Sequence, residues 1–254
     1  MQKLTKSSAL AIISNLGIGL VLVGLVIGMS FASPVFLKTN NIVNILLQVA
    51  TISIIATGMT YVILTGGIDL SVGSIVALSA VCLGTFIHAG MKWIGQDPSQ
   101  FMVLLVVALS IIGAILVGTI CGLINGFVIV CMKVPPFIAT LGMMGIARGL
   151  ALTIAGGKTL YSFPQSLSYL GNGKIPVTES FSLPVPVIIA FAVVMVSYYV
   201  LTQTRFGRQI YALGGNREAV RLSGINVSWL EIRAYIINGG LAALGAVILV
   251  GRLN

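Results

Sequence analysis

Apolar runs of about twenty residues recur along this chain, and they limit its fold more than any other feature. A helix of about 20 residues crosses the roughly 30 Å hydrocarbon core of a bilayer. The runs do not alternate polar and apolar residues at period two, which excludes a transmembrane barrel. We therefore predict an all-α, polytopic transmembrane helical bundle. The runs occupy residues 9–32, 42–64, 72–89, 101–132, 134–156, 184–202 and 234–251.

The composition agrees with a membrane protein. Hydrophobic residues make up 57% of the chain and charged residues 7%, whereas about 25% of a typical soluble domain is charged. A soluble protein of this length needs surface charge to stay dispersed. Residues 1–254 are predicted to form a single transmembrane domain, and the N-terminal run is too long for a signal-peptide core, so it is read as a retained span.

The number of spans depends on the run at residues 101–132, which is too long for one ordinary crossing. A tilted helix, a helix that extends into water and a break near Gly122 to Gly126 all fit this length. The sequence thus predicts seven or eight spans. The spacing of Gly118, Gly122 and Gly126 also puts three glycines on one helix face, which allows another helix to approach closely.

The basic residues indicate the orientation in the membrane. The net charge of +9 would suggest nucleic acid in a soluble protein, but membrane proteins concentrate Lys and Arg in cytoplasmic loops. No nucleic-acid partner is therefore expected. The Arg-rich segment 203–233 is predicted to be cytoplasmic. With seven spans this puts the N-terminus inside, and splitting the fourth run would put it outside.

Residues 205–225 concentrate five of the few charges, namely Arg205, Arg208, Arg217, Glu218 and Arg221. Gly214, Gly215 and Asn216 predict a turn or cap, followed by a short helix from Asn216 to Leu222 that Ser223 and Gly224 close. A basic loop that only fixes the topology would need neither the paired glycines nor the small residues. Docking to a partner protein is the favoured interpretation.

Residues 66–74 (GGIDLSVGS) join two apolar runs. The glycines are expected to end one helix, Asp69 to cap the next, and Ser71 and Ser74 to lie in its first turn. One interpretation is a capped turn at the membrane edge. In the other, Asp69 and Ser71 belong to a translocation path or gate, because an ionisable group at membrane depth usually faces a cavity or the bundle interior.

Three further features leave alternatives open. Pro135 and Pro136 predict a sharp helix start, and Arg148 in the following run either snorkels to a surface or pairs within the bundle. Asn125 faces either a cavity or a neighbouring helix. The Gly- and Pro-containing segment 157–183 is expected to be an irregular surface loop.

Enzymatic chemistry has little support in the sequence. Gly156-Gly157-Lys158-Thr159 resembles the end of a phosphate-binding loop, but Leu152 stands where that loop needs its first glycine. His88 is the sole histidine, and the three cysteines have no paired spacing. No catalytic residue, metal site or cofactor is predicted.

Three motifs carry a family resemblance. GGIDLSVGS at 66–74, PPFIATLGMM at 135–144 with Arg148-Gly149 after it, and GRQIYALGGNREAVRLSGI at 207–225 resemble permease subunits of bacterial ABC sugar importers. The similarity is greatest to the ribose-type branch, which imports monosaccharides. The motifs come in the family's order and together span most of the chain.

The resemblance implies a homodimer in the bacterial cell (inner) membrane, with ATP hydrolysed on separate cytoplasmic ATP-binding subunits and sugar delivered by an extracytoplasmic binding protein. It makes 203–233 the cytoplasmic coupling loop. Family members continue beyond the equivalent of Asn254, so a C-terminal truncation relative to the family is expected. The matching coupling positions are Gly214, Gly215, Asn216, Ala219, Ser223 and Gly224.

Two rival functions remain open from the sequence. An ion-coupled secondary transporter should show inverted repeats and intramembrane acids, for which Asp69 alone is thin support. A non-transporting membrane assembly subunit would bind no ATPase. The identity of the sugar is not readable from the residues.

Overall fold

A computed structural model describes residues 6–178 and 181–254 of the chain. Its chain contacts divide it into two units, residues 1–46 and 47–254. The helices are α1 Lys6–Ala32, α2 Thr39–Leu64, α3 Val72–Ile94, α4 Gln100–Cys131, α5 Pro136–Ala155, α6 Gln165–Asn172, α7 Val185–Gln203, α8 Arg205–Gly215, α9 Arg217–Leu222 and α10 Val227–Leu253. The strands are β1 Lys174–Thr178 and β2 Phe181–Pro184.

The long helices confirm a polytopic helical bundle. Within the described residues, six helices are long and apolar enough to cross a membrane, namely α2, α3, α4, α5, α7 and α10. The first unit holds α1, which contains the apolar stretch Gly17–Ala32. Because α4 runs unbroken for 32 residues, the alternative of a break near Gly122 is wrong, and the eighth predicted span is not formed.

Helices α4 and α10 are packed through glycines. Gly118 and Gly239 lie backbone to backbone, and any side chain at either position would overlap the other helix. The contacts run in opposite order along the two helices, so the pair is antiparallel. The close helix approach predicted from the glycine spacing is confirmed. Toward the other end of the pair, Gly122 meets Tyr235 and Gly126 meets Ile232.

Helix α10 lies at the centre of the second unit. In its most apolar stretch 61% of the residues are buried, against 22% to 44% in the other five long helices. Polar side chains on α10 are thereby placed inside the bundle rather than in lipid. This position brings the asparagine and glutamate of α10 to the candidate site.

The segment 157–183 is more ordered than the expected irregular loop, and that expectation is wrong. It contains α6 and an antiparallel hairpin in which Ile175 pairs with Leu183. The Asn172 side chain donates hydrogen bonds to the carbonyl oxygens of Gly251 and Arg252 at 3.2 and 3.0 Å. These hydrogen bonds hold α6 against α10.

Candidate coupling segment and buried polar network

Helix α8 lies against the bundle rather than projecting from it. Thr204 starts the helix, its hydroxyl accepting a hydrogen bond from the Gly207 amide at 3.2 Å. Ile210 and Leu213 are buried, whereas Arg205 and Arg208 are exposed, which is the pattern of an amphipathic surface helix. The buried side joins a core cluster with residues of α2, α7 and α10, namely Tyr61, Leu201 and Leu230.

Helix α9 confirms the predicted short helix and its cap. Asn216 is the N-cap residue, and its side-chain oxygen accepts a hydrogen bond from the Ala219 amide at 3.0 Å. At the other end the Ser223 hydroxyl donates to the Ala219 carbonyl at 2.8 Å. Gly224 has a φ of 77°, a left-handed conformation that suits glycine at a helix end.

The segment predicted as a loop at 203–233 is in fact two helices and the first residues of α10. The glycines do not form the turn on their own, because Gly214 and Gly215 are the last residues of α8 and Asn216 makes the turn. A side chain at Gly214 would overlap the Leu64 carbonyl of α2. Gly214 is thus a close packing contact, whereas Gly215 faces open space.

The other predicted coupling residues lie on the surface. They are exposed around α9 and do not pack into the bundle interior. Gly214 is also exposed to solvent, although it packs against α2. The other coupling residues therefore form an exposed patch of small side chains, held in shape by the caps of α9. The patch consists of Gly215, Asn216, Ala219, Ser223 and Gly224.

The two arginines of α9 make different ion pairs. Arg221 binds Glu218 within the same helix, at 3.0 Å from Nε to Oε2, and this carboxylate raises the pKa of the exposed guanidinium. The Arg217 side chain instead extends from α9 to α10, where it makes a bidentate ion pair with Glu231, at 3.0 Å from Nη2 to Oε2. The Glu231 side chain is only 9% exposed, so Arg217 joins α9 to the bundle interior.

Asp69 is buried in the connection between α2 and α3, with 2% of its surface exposed. Its Oδ1 accepts hydrogen bonds from the Ser71 amide at 2.8 Å and the Ser71 hydroxyl at 2.5 Å. Its Oδ2 accepts one from Asn238 Nδ2 at 2.8 Å. The expectation that Asp69 caps α3 is wrong in detail, because Ser71 takes the N-cap position and Asp69 binds Ser71.

These contacts extend into a buried polar network. Asn125 on α4 donates to the Ser71 hydroxyl at 2.9 Å, so four side chains link α4, the start of α3 and α10. Asn238 lies eleven residues into α10, about 16 Å along the helix axis. The connection between α2 and α3 therefore dips into the bundle. The polar network is Asp69, Ser71, Asn125 and Asn238.

The same connection is held by two further contacts. The Tyr235 hydroxyl of α10 donates to the Ile68 carbonyl at 3.3 Å, and the Leu70 amide donates to Thr140 Oγ1 of α5 at 3.2 Å. A side chain at Gly67 would meet the Tyr235 hydroxyl at 2.7 Å. The glycine is needed here because the backbone approaches α10 so closely.

A cavity of about 510 Å³ lies beside α9 and the α2–α3 connection. Its wall comes from the α2–α3 connection, the end of α4, the start of α5, α9 and the first turns of α10. Glu231 and Tyr235 lie on one side, and Lys133 and Arg217 bring positive charge to it. From the excess of basic residues in cytoplasmic loops of membrane proteins, this end of the bundle is predicted to face the cytoplasm.

Arg148 makes no ion pair within residues 6–178 and 181–254, and it lies on an exposed face of α5. Of the two sequence alternatives, pairing within the bundle is not found in this part of the chain. The same residues contain no cluster of three His, Cys, Asp or Glu side chains able to hold a metal ion.

The comparison with protein families decides the class of this molecule. Residues 41–254 match the family described as the permease component of the branched-chain amino acid transport system. The chain belongs to this permease family. The permease is accordingly a multi-pass protein of the bacterial cell membrane, and its matched region contains both the polar network and the coupling segment.

Sugar permeases are among its relatives. The permease is 41% identical to the ribose import permease RbsC of Bacillus subtilis, over 96% of its own chain and 70% of the relative. It is 37% identical to the ribose import permease RbsC of Haemophilus influenzae, over 89% of its own chain and 65% of the relative. It is 34% identical to the galactose/methyl galactoside import permease MglC of Escherichia coli, over 100% of its own chain and 76% of the relative. The chain thus spans about two thirds of the length of the ribose permeases. No solved structure matches it.

Sequence reasoning singled out the residues of the predicted coupling patch and two members of the polar network. It left Asn125 undecided and did not single out Asn238 or Glu231. The residue types of Asn125, Asn238 and Glu231 could have indicated their buried positions, because amides and carboxylates inside apolar helices are rare and usually face the bundle interior.

Proposed function

We propose that the permease forms most of the translocation path of an ATP-driven importer for a monosaccharide, and that residues 205–225 bind a cytoplasmic ATP-binding subunit. The observation that carries this proposal is the capped helix α9. It presents small, exposed side chains on the end assigned to the cytoplasm, while α8 beside it is packed on three membrane helices. The names of the relatives point to ribose or galactose as the class of sugar.

Residues 1–254 act as a single permease domain in this proposal, and 203–233 is its coupling region. ATP hydrolysis takes place on the separate subunit, and this chain contributes no catalytic residue or cofactor. A second copy of the permease completes the path, an extracytoplasmic binding protein delivers the sugar, and lipid surrounds the assembly. Asp69 and Ser71 hold the α2–α3 connection at the edge of the path.

Coupling requires that the ATP-binding subunit contacts α9 differently before and after it closes on ATP. Only such a difference shifts the bundle between inward-open and outward-open states. The packing of α8 on α2, α7 and α10 supports this step, because a displaced α9 has a stiff connection to the membrane helices.

The test is ATP-dependent uptake. The permease is expressed with the ATP-binding subunit and binding protein of a ribose-type importer, in cells that lack their own ribose importer. We expect the ATP-binding subunit to co-purify with the permease and labelled ribose or galactose to enter the cells. Uptake that persists after ATP depletion, with the ion gradient maintained, would favour a secondary transporter. Absence of both uptake and co-purification would favour an assembly subunit.

The position of Asp69 argues against the ion-coupled alternative. Both of its carboxylate oxygens are taken by hydrogen bonds from Ser71 and Asn238. A coupling carboxylate must bind and release an ion or proton in each cycle. Asp69 is better placed to fix the backbone than to carry an ion.

A further inference from the structure

We propose that the Arg217–Glu231 ion pair is the link through which movement of α9 reaches the membrane core. This inference rests on the proposed function and names positioning residues for it. Arg217 lies on α9, next to the exposed coupling patch. Glu231 lies on α10, and its carboxylate is the point where the patch is fastened to the most buried helix of the bundle.

The geometry of α10 extends the link inward. Glu231, Tyr235 and Asn238 are four and three residues apart, so they share one face of the helix. Each binds a different part of the same end of the bundle: Glu231 binds Arg217, Tyr235 binds the Ile68 carbonyl, and Asn238 binds Asp69. A shift of α10 driven through Glu231 therefore moves the α2–α3 connection with it.

A cavity of about 510 Å³ borders this link, and Arg217 and Glu231 both line it. The two helices also share an apolar cluster, because Val220 of α9 is buried in a core cluster that includes Leu230 of α10. Within the residues that the structure describes, the ion pair is the hydrogen-bonded side-chain contact between α9 and α10.

Burial of one partner makes this ion pair unlike its neighbour, because the Glu231 side chain is 9% exposed whereas that of Arg217 is 61% exposed. Glu231 is almost enclosed, so removing Arg217 leaves a buried carboxylate without its partner, which is strongly unfavourable. Arg221 and Glu218 are 68% and 62% exposed and lie on the same short helix. Such a surface pair is screened by water and contributes little, and it connects α9 to nothing else. The two pairs form a natural comparison between a link and a surface pair.

The experiment measures sugar transported per ATP hydrolysed, in the permease assembled with the ATP-binding subunit. Arg217→Gln and Glu231→Gln are expected to lower this ratio at least about tenfold, while co-purification of the ATP-binding subunit persists because the coupling patch is unchanged. The charge exchange R217E/E231R is expected to restore part of the ratio that either single reversal loses. Lys92→Gln removes an exposed cation at the end of α3, outside the coupling segment, and is the control that should keep the wild-type ratio.

The outcomes separate the two proposals. A wild-type ratio in both Arg217→Gln and Glu231→Gln would overturn the link and leave the proposed function standing. An equal loss in Lys92→Gln would also overturn it, because an exposed cation outside the coupling segment takes no part in the link. If the wild-type permease itself neither binds the ATP-binding subunit nor imports sugar, the proposed function fails and the link falls with it. Amounts of each variant in the membrane are measured alongside, and the charge exchange guards against simple misfolding.

Discussion

Asn238 on α10 donates a 2.8 Å hydrogen bond to the carboxylate of Asp69, a residue 169 positions earlier in the chain. Both side chains are buried, and the bond joins the central helix to the connection between α2 and α3. This hydrogen bond is one of several that hold the connection, together with those from Ser71 to Asp69 and from Tyr235 to the Ile68 carbonyl.

Asp69→Ala is expected to destabilise the permease. The Ser71 amide, the Ser71 hydroxyl and the Asn238 amide would each lose their acceptor inside the bundle, at about 1–3 kcal/mol for an unsatisfied buried group. Thermal unfolding in detergent measures the loss. Asp97→Ala is the matched control because Asp97 is exposed in the α3–α4 connection, and its effect should stay within about 0.5 kcal/mol. Equal effects of the two variants would contradict the buried network.

Gly122→Ala is expected to weaken the α4–α10 contact. The new methyl group would overlap the Tyr235 carbonyl on α10, and overpacking of this kind costs about 1–3 kcal/mol. Gly142→Ala on α5 has open space for the same methyl group and serves as the control. The melting temperatures of the two variants in detergent should differ, with Gly122→Ala the lower. A melting temperature for Gly122→Ala at or above the control would show that the two helices separate easily.

Gly215→Trp is expected to block coupling without preventing folding. Nothing lies within 4 Å of a side chain added at Gly215, so the indole would project from the coupling patch into the space that the ATP-binding subunit needs. Uptake should be abolished and co-purification lost, while insertion into the membrane is retained. Gly224→Trp should do the same, with an added backbone strain from its φ of 77°.

Met132→Trp is the control for this prediction. Met132 is 63% exposed between α4 and α5, at the same end of the bundle but outside the coupling segment. It should insert and bind the ATP-binding subunit as the wild type does. Normal uptake by Gly215→Trp would remove the coupling role from this patch.

Thiol labelling tests the orientation. Cys131 is exposed at the end of α4, whereas Cys82 and Cys121 are buried. A membrane-impermeant maleimide should therefore label inverted membrane vesicles and spare intact cells. Cys131→Ser should abolish the labelling. Labelling of intact cells at Cys131 would place this end outside and would reverse the orientation that the arginines predict.

The sequence predicted the features that depend on residues close together in the chain. Asn216 was recognisable as a cap because a cap is a local arrangement of one side chain and an amide three residues on. The spans followed from the length of the apolar runs. The coupling patch came from the family motif, and its role stays a prediction; its residues are exposed around α9, and Gly214 packs against α2.

The features that the sequence did not predict depend on contacts between helices that are far apart in the chain. Asn238 and Glu231 look alike as polar residues in an apolar helix, yet one binds Asp69 and the other Arg217. The order of segment 157–183 was also missed. Its helix α6 is fixed by carbonyls of α10, some eighty residues away, and a pattern of Gly and Pro carries no information on that partner.

The late position of α10 has a consequence for biogenesis. While the ribosome makes residues 72–226, Asp69 lacks the Asn238 amide and the glycine face of α4 lacks its partner. The first helices must therefore wait in the translocon or in the lipid as a loosely held intermediate. Synthesis of α10 supplies both partners, so a ribosome that stalls before Asn238 would release a chain in which Asp69 and the α4 glycines lack them.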